Sequence, residues 1–218
     1  MQKHADKFIL LTGFEPWNGE KYNPTMDVVE ELAGSVLSGC KVLGYVLPVS
    51  YRRVKDTLPA LILEKKPLVA LHLGLAPGSP VISVEKVALN IMATGPDSDG
   101  YKPSGEPIYS DGPVAYFSTI PVDMIVESLR RNGIPARKSF FAGTFLCNYA
   151  LYISLHTVEM YGLETLVGFM HIPYTPKQAT EKASPTPSMC LHLMVEAVKI
   201  ALETALRYVG ENSNQVKK

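Results

Sequence analysis

Cys147, in the stretch AGTFLCNYALY (residues 142–152), stands where strand-like residues give way to helix-like ones. A thiol there can simply pack, since free cysteines are among the most buried residue types. It can also attack a carbonyl, because the positive end of a helix macrodipole favours the thiolate. A thiol nucleophile needs a base within hydrogen-bond reach, usually histidine, and the histidine needs an acceptor that orients it. Of the five histidines, His4 lies in the N-terminal stretch and His192 well inside the last helical segment. His156 follows Cys147 by nine residues on one predicted helix. It is therefore about half a turn round and about 13 Å along the axis, out of reach. His72 lies in an apolar strand and reads as a satisfied core histidine. His171, closing LVGFMH ahead of IPYTP, points from a strand end toward the same edge as Cys147 and is the best partner. Glu85, in VISVEKVALN, is a carboxylate in a mostly apolar strand, where burial without a partner would be costly. Its position fits a histidine orienter, but equally a salt bridge or a solvent-facing edge, since strand residues alternate faces.

The elements that must position these groups alternate in type along the chain. Phe8–Gly13 reads as a buried strand. Asn23 and Pro24 start a helix that stops near Gly34, as cap and first helical residue. Lys41–Val49 is a strand, and Ser50 caps a helix to about Lys66, with Pro59 expected to kink it. Leu68–Leu73 and Val81–Met92 read as extended, Pro121–Asn132 as an amphipathic helix closed by Gly133, and Ala136–Phe141 as a strand. Leu146–Tyr161 is a helix, Glu164–Met170 a strand and Pro187–Tyr208 the last helix, with fraying expected from about residue 210. This alternation predicts a single α/β domain over residues 1–218. Its architecture is three-layer α/β/α, around a mostly parallel or mixed twisted sheet. Ligands in such sheets bind beyond the carboxyl ends of strands, where residues 12–18, 72–78, 142–148 and 170–176 supply polar groups. Residues 93–113 carry no periodicity, and a stretch of that length in a compact domain is functional or disordered.

Composition narrows the class. Lys plus Arg equal Asp plus Glu at 21 each, so no basic stripe draws nucleic acid or an anionic membrane surface. Zero net charge gives little protection against self-association, which makes a homo-oligomer the expectation. No apolar run approaches the roughly 20 residues of a membrane span. The three cysteines are widely spaced without a CxxC pair, neither a disulfide framework nor a zinc cluster, so the expected home is the reducing cytoplasm. Cys190, near the start of the last helix, is a rival nucleophile, but SMCLHLMVEAVKIAL reads as a packing face, which makes Cys190 structural or exposed at a subunit contact; Cys40 reads as incidental.

Taken together, LLTGFEPWNGEKYNPT, GLAPGSPVISVEKVALN, AGTFLCNYALYISLH and GFMHIPYTPKQA resemble the pyrrolidone carboxyl peptidases. This cysteine peptidase family is also called pyroglutamyl peptidase I, and the likeness runs from about residue 8 to residue 205. It implies a catalytic set of Cys147, His171 and Glu85. It also implies a pocket in which Phe14 and Trp17 hold a pyroglutamate ring, Trp17 standing where phenylalanine is common. Phe145 and Leu146 match further pocket positions, and the backbone around Leu75 matches the stretch that bonds the ring amide. The family suggests a tetramer acting on peptides with an N-terminal pyroglutamate, with no cofactor and no metal. Lys86 stands where the family usually has arginine, and lysine lacks the bidentate fork. Residues 93–113 diverge from the family pattern. A neutral lactam calls for apolar faces and backbone polar groups, with no acidic residue to meet an amino terminus. The alternative is a non-catalytic lactam- or metabolite-binding protein in which Cys147 only packs.

Overall fold

FILLTGF, VALHLGL and LVGFMHI are nearly unbroken apolar runs, the pattern expected of strands covered on both faces. A computed structural model describes residues 7–93 and 95–215, with side chains through residue 211. In chain order its elements are β1 (Phe8–Phe14), α1 (Pro24–Leu32), β2 (Val36–Leu37), β3 (Cys40–Leu47) and α2 (Tyr51–Lys65). Next come β4 (Val69–Leu75), β5 (Ile82–Glu85), β6 (Val87–Leu89), β7 (Ala115–Phe117), α3 (Val122–Arg131) and β8 (Ala136–Ser139). The chain ends with α4 (Leu146–Met160), β9 (Leu166–Ile172), α5 (Pro176–Thr180) and α6 (Leu191–Gln215). Seven strands form one sheet in the order β2-β3-β1-β4-β9-β5-β8. Alternate strand residues serve opposite layers. Ile9, Leu71 and Met170 pack with α1, α3 and α6, whereas Leu10, Ala70 and Phe169 pack with α2 and α4. The result is a three-layer α/β/α architecture.

The sheet is mixed, and the position of its antiparallel strands matters for the site. Strands β3, β1, β4 and β9 run parallel. β5 enters antiparallel beside β9, setting Ser83 opposite His171 and Glu85 opposite Phe169, and β8 follows β5 in parallel. The predicted caps form as read: Asn23 accepts from Thr25 N at 3.1 Å and Ser50 from Arg53 N at 3.2 Å. α2 continues through Pro59 to Lys65.

Several boundaries differ from the sequence reading, β3 and β9 by one or two residues at each end. Val81–Met92 is two strands, because the chain leaves the main sheet at Lys86, and β6 pairs with β7 in a separate ladder. β8 stops at Ser139 rather than Phe141. The last helix starts at Leu191, since residues up to Met189 are held extended by a Tyr174–Ser188 bridge and a bond from Met189 N to Tyr174 O. It runs on to Gln215, into the stretch expected to fray; residues 216–218 lie outside those described. Residues 93–113 form no regular strand or helix apart from local turns, among the described residues, but they are bonded to the body of the protein. β2, β7 and α5 are too short to leave a periodic signal.

Candidate active site

Cys147 is in the first turn of α4, whose cap residue, Phe145, makes no side-chain hydrogen bond to the helix. The opening N–H groups of that helix are therefore not satisfied by a capping side chain, and they add positive potential beside the thiol. α4 is otherwise apolar nearly all round, with Tyr149–Leu155 entirely buried, so its start is fixed firmly against the sheet. The thiol sits directly over β4. A Cβ added at Gly74 would lie 2.8 Å from Cys147 Sγ and 2.8 Å from Phe169 Cζ, so the close approach depends on glycine.

His171 projects from β9, and its Nδ1 lies 2.9 Å from Glu85 Oε1. With Nδ1–H donated to that carboxylate, Nε2 is left for Cys147. Burial alone would lower the imidazole pKa. The charge and hydrogen bond of the Cys147 thiolate, followed by those of Glu85, outweigh it and raise His171 to about 10. The structure thus favours the protonated imidazole beside Cys147 and Glu85. Glu85 is 1% exposed. Its carbonyl accepts from Ser118 Oγ at 2.7 Å, and its Oε2 has no hydrogen-bond partner among the described residues. Lys86 turns to the Ser118 carbonyl, 3.5 Å away, and the face of Phe117.

Beside Cys147 lies a mostly apolar cavity of about 320 Å³. Phe14, Trp17, Leu75, Phe145 and Leu146, the pocket residues drawn from the resemblance, all line it. Trp17 and Phe145 stack with centroids 4.4 Å apart. The wall also contains residues that the sequence reading missed: Val49, Tyr22, Tyr174 and two glutamates, Glu15 and Glu20. An acid-free pocket was expected, so the glutamates are a correction. Glu20 is already engaged, accepting from Tyr174 Oη at 2.6 Å and Lys182 Nζ at 2.5 Å. Burial raises its pKa, but those two partners overcome the effect and hold it below the usual carboxylate range. Nothing local in the sequence pairs Glu20 with residues more than 150 positions away. Asn148, also missed, is fully buried beside the nucleophile. It accepts from Leu89 N at 2.8 Å and donates to Leu89 O and Ile91 O at 2.9 and 3.2 Å.

The rival groups have other roles. Cys190 is exposed at the start of α6, where its carbonyl accepts from Leu193 N at 3.1 Å. Cys40 is buried, and burial pushes its thiol pKa up. His156 bonds Tyr116 Oη through Nδ1 at 2.9 Å and stacks on Tyr109. His72 is half satisfied: Nδ1 pairs with Thr12 Oγ1 at 2.8 Å, while Nε2 is buried without a partner among the described residues. Burial drives its pKa down to about 3. Among the described residues, no group of three or more His, Cys, Asp or Glu could hold a metal ion.

Comparison with known proteins agrees with this geometry along nearly the whole chain. The pyroglutamyl peptidase family profile matches residues 7–208. The pyrrolidone-carboxylate peptidase of Pyrococcus furiosus is 45% identical over 202 residues, covering 91% of this chain and 97% of the relative. That of Bacillus cytotoxicus is 40% identical over 202 residues, 92% and 94% of the two chains. The solved structure of pyrrolidone carboxyl peptidase from Thermococcus litoralis superposes with a TM-score of 0.92 at 42% identity, covering 94% of this chain and 96% of that one. With a matching fold, and with a thiol, a histidine and a carboxylate gathered beside an apolar cavity, the chain belongs to the pyroglutamyl peptidase family.

Proposed function

We propose that the protein is a cysteine exopeptidase that hydrolyses the amide bond after an N-terminal pyroglutamate (5-oxoproline) of peptides. The observation that carries this reading is the meeting of Cys147, backed by the His171–Glu85 pair, with a small aromatic-walled cavity. In this reading the Cys147 thiolate attacks the pyroglutamyl carbonyl carbon. The oxyanion is held by backbone N–H groups at the start of α4. As the C–N bond breaks, His171 gives its proton to the leaving amine, and a thioester joins Cys147 to the pyroglutamyl group. Water then attacks the thioester carbonyl and gives a proton to His171, releasing pyroglutamate and restoring the thiolate. Glu85 holds the imidazole tautomer throughout. His171 fills both proton-transfer roles, so no metal or cofactor enters the proposal.

Phe14, Trp17 and Phe145 would grip the ring, with Leu146 and the backbone around Leu75 completing the pocket. A glutaminyl substrate would bring an ammonium into a mostly apolar slot whose Glu20 is already paired with Lys182 and whose Glu15 is exposed to solvent, which costs several kcal/mol or more of desolvation. A prolyl substrate lacks the ring carbonyl, and sites built to bond a missing group discriminate by up to about 10⁴-fold. The test is kcat/KM for pyroglutamyl, glutaminyl and prolyl chromogenic amides. Strong preference for the first supports the reading; equal pyroglutamyl and prolyl values overturn it. Cys147→Ser should fold and lose nearly all turnover, because a hydroxyl is a far poorer nucleophile beside the same base, while Cys40→Ser and Cys190→Ser keep it. One stoichiometric alkylation that abolishes turnover would separate the enzyme from a mere lactam binder.

The proposal takes the whole chain as one domain, acting in the cytoplasm as a homo-oligomer, a tetramer by family likeness. Three free cysteines and zero net charge support it. A monomer in sedimentation velocity at micromolar concentration would remove the oligomer.

A further inference from the structure

Residues 96–101 carry a buried carboxylate that plays no part in the chemistry above. Asp97 is 6% exposed. Its Oδ2 accepts from Tyr51 N at 2.9 Å, and its Oδ1 accepts from Asp99 N and Tyr101 N, both at 2.9 Å. All three donors are backbone N–H groups, one of them in the opening turn of α2, where the macrodipole favours a negative charge. Two further bonds fasten the same segment. Ser98 N donates to Val49 O at 2.8 Å, and Ser50 Oγ donates to Asp99 Oδ2 at 2.6 Å. This part of an otherwise irregular stretch is therefore a rigid shelf on the helix start.

One outward-facing group on the shelf is used by the pocket. The Pro96 carbonyl, adjacent to Asp97, accepts a 3.2 Å bond from Trp17 Nε1. Trp17 comes from the loop after β1, which turns at Asn18 and Gly19 with φ of 55° and 81°. Its ring, stacked on Phe145, forms one wall of the cavity beside Cys147. The stack constrains where the ring lies but not its rotation in its own plane, because a tilted aromatic pair is only weakly directional. The indole N–H supplies the missing constraint. We propose that Asp97 is a positioning residue for the lactam pocket: it fixes the shelf that presents the Pro96 carbonyl, and this latches Trp17 into the wall that grips the ring. The proposal rests on the pyroglutamyl reading for its substrate, but the latch exists in the free protein.

The chain has a single tryptophan, so indole emission, excited at wavelengths beyond the tyrosine band, reports Trp17 alone. Asp97→Asn keeps the size but removes one acceptor oxygen, so at least one backbone donor is lost and the shelf loosens. In the free protein its emission maximum should move to longer wavelength as the indole is released to water. Trp17→Phe keeps an aromatic face against Phe145 but deletes the N–H, together with the larger indole ring. Each single variant should lower kcat/KM for a pyroglutamyl amide by about three- to tenfold, mostly through KM, as expected for one lost neutral hydrogen bond. The double variant should be no worse than the weaker single, because both changes break the same latch. Multiplicative losses, or a loss confined to kcat, would overturn the proposal, as would unchanged emission in a folded Asp97→Asn protein. If Asp97→Asn does not fold, Trp17→Phe still decides: kcat/KM equal to wild type excludes the latch. Wild-type protein inactive on every pyroglutamyl amide would overturn the function instead, leaving the substrate-free emission experiment to judge the latch.

Discussion

The proton between Cys147 and His171 is held by three unequal influences: burial, which opposes the imidazolium, and the thiolate and Glu85, which together win. Because the folded-state pKa is raised above the unfolded value, the pair contributes stability that is full below about pH 6.5, the ordinary histidine value. That contribution is lost as pH rises through about 10. Turnover that needs His171 as an acid for the leaving amine should fall on the alkaline side along the same limb. Glu85→Gln removes one raising influence while keeping a hydrogen-bond acceptor. Its alkaline limb in kcat/KM should move to lower pH, with part of the activity retained. An unmoved limb would mean that Glu85 does not tune the base.

Two elements set the geometry of the nucleophile, and each gives a prediction. β4 lies so close under α4 that Gly74→Ala would place a methyl 2.8 Å from both Cys147 Sγ and Phe169 Cζ. The overpacking should destabilise by about 1–3 kcal/mol. Displacement of the thiol should lower kcat/KM by roughly tenfold or more, since a shift of about 1 Å at the chemistry is that costly. Assays well below the melting temperature separate the two effects, and a destabilised but fully active variant would contradict the close approach. At the other side of α4, Asn148 ties Leu89 and Ile91 to the helix. Asn148→Ala leaves one backbone donor and two acceptors without it, at a cost on the order of 2–3 kcal/mol. Urea denaturation should show a lower midpoint with little change in m, the mark of lost stability rather than a looser native state.

At the scale of the whole molecule, the buried groups outside the site govern its tolerance of acid. His72 is fully buried and neutral, its pKa driven down to about 3 by burial. The unfolded chain binds a proton there from about pH 6.5 downward, whereas the folded chain does not, so stability falls as pH drops through this window. The slope from this one group approaches about 1.4 kcal/mol per pH unit. His72→Gln should lower stability at neutral pH, because the Thr12 contact is altered, yet flatten the loss between about pH 6 and 4. Thermal melts across that range check it; an unchanged slope would place the acid sensitivity elsewhere. No helix among the described residues is long and apolar enough to cross a membrane.

What was legible in the sequence is what local chemistry dictates. The strand and helix alternation, the Asn23 and Ser50 caps and the exclusion of His156 all follow from short-range geometry, and the structure has them. The choice of Cys147 and His171 came from the same reasoning about strand ends. Spacing alone leaves Glu85 open, because alternation along a strand cannot say which strand lies next to it; the family likeness is what points to it. Its pairing with His171 follows from β5 entering antiparallel beside β9, a choice made by contacts across the whole sheet. Glu20, Tyr174 and Lys182 were invisible for the same reason: the partners lie at opposite ends of the chain. Residues 93–113 read as structureless because their order comes from anchors such as Asp97 on the start of α2, not from any repeating pattern of their own. Which groups could react, and which local elements carry them, is thus written in short stretches of the chain. The contact between Glu85 and His171 and the closure of the pocket come from packing across the whole fold, because non-local pairing direction and loop anchoring leave no periodic trace in a chain.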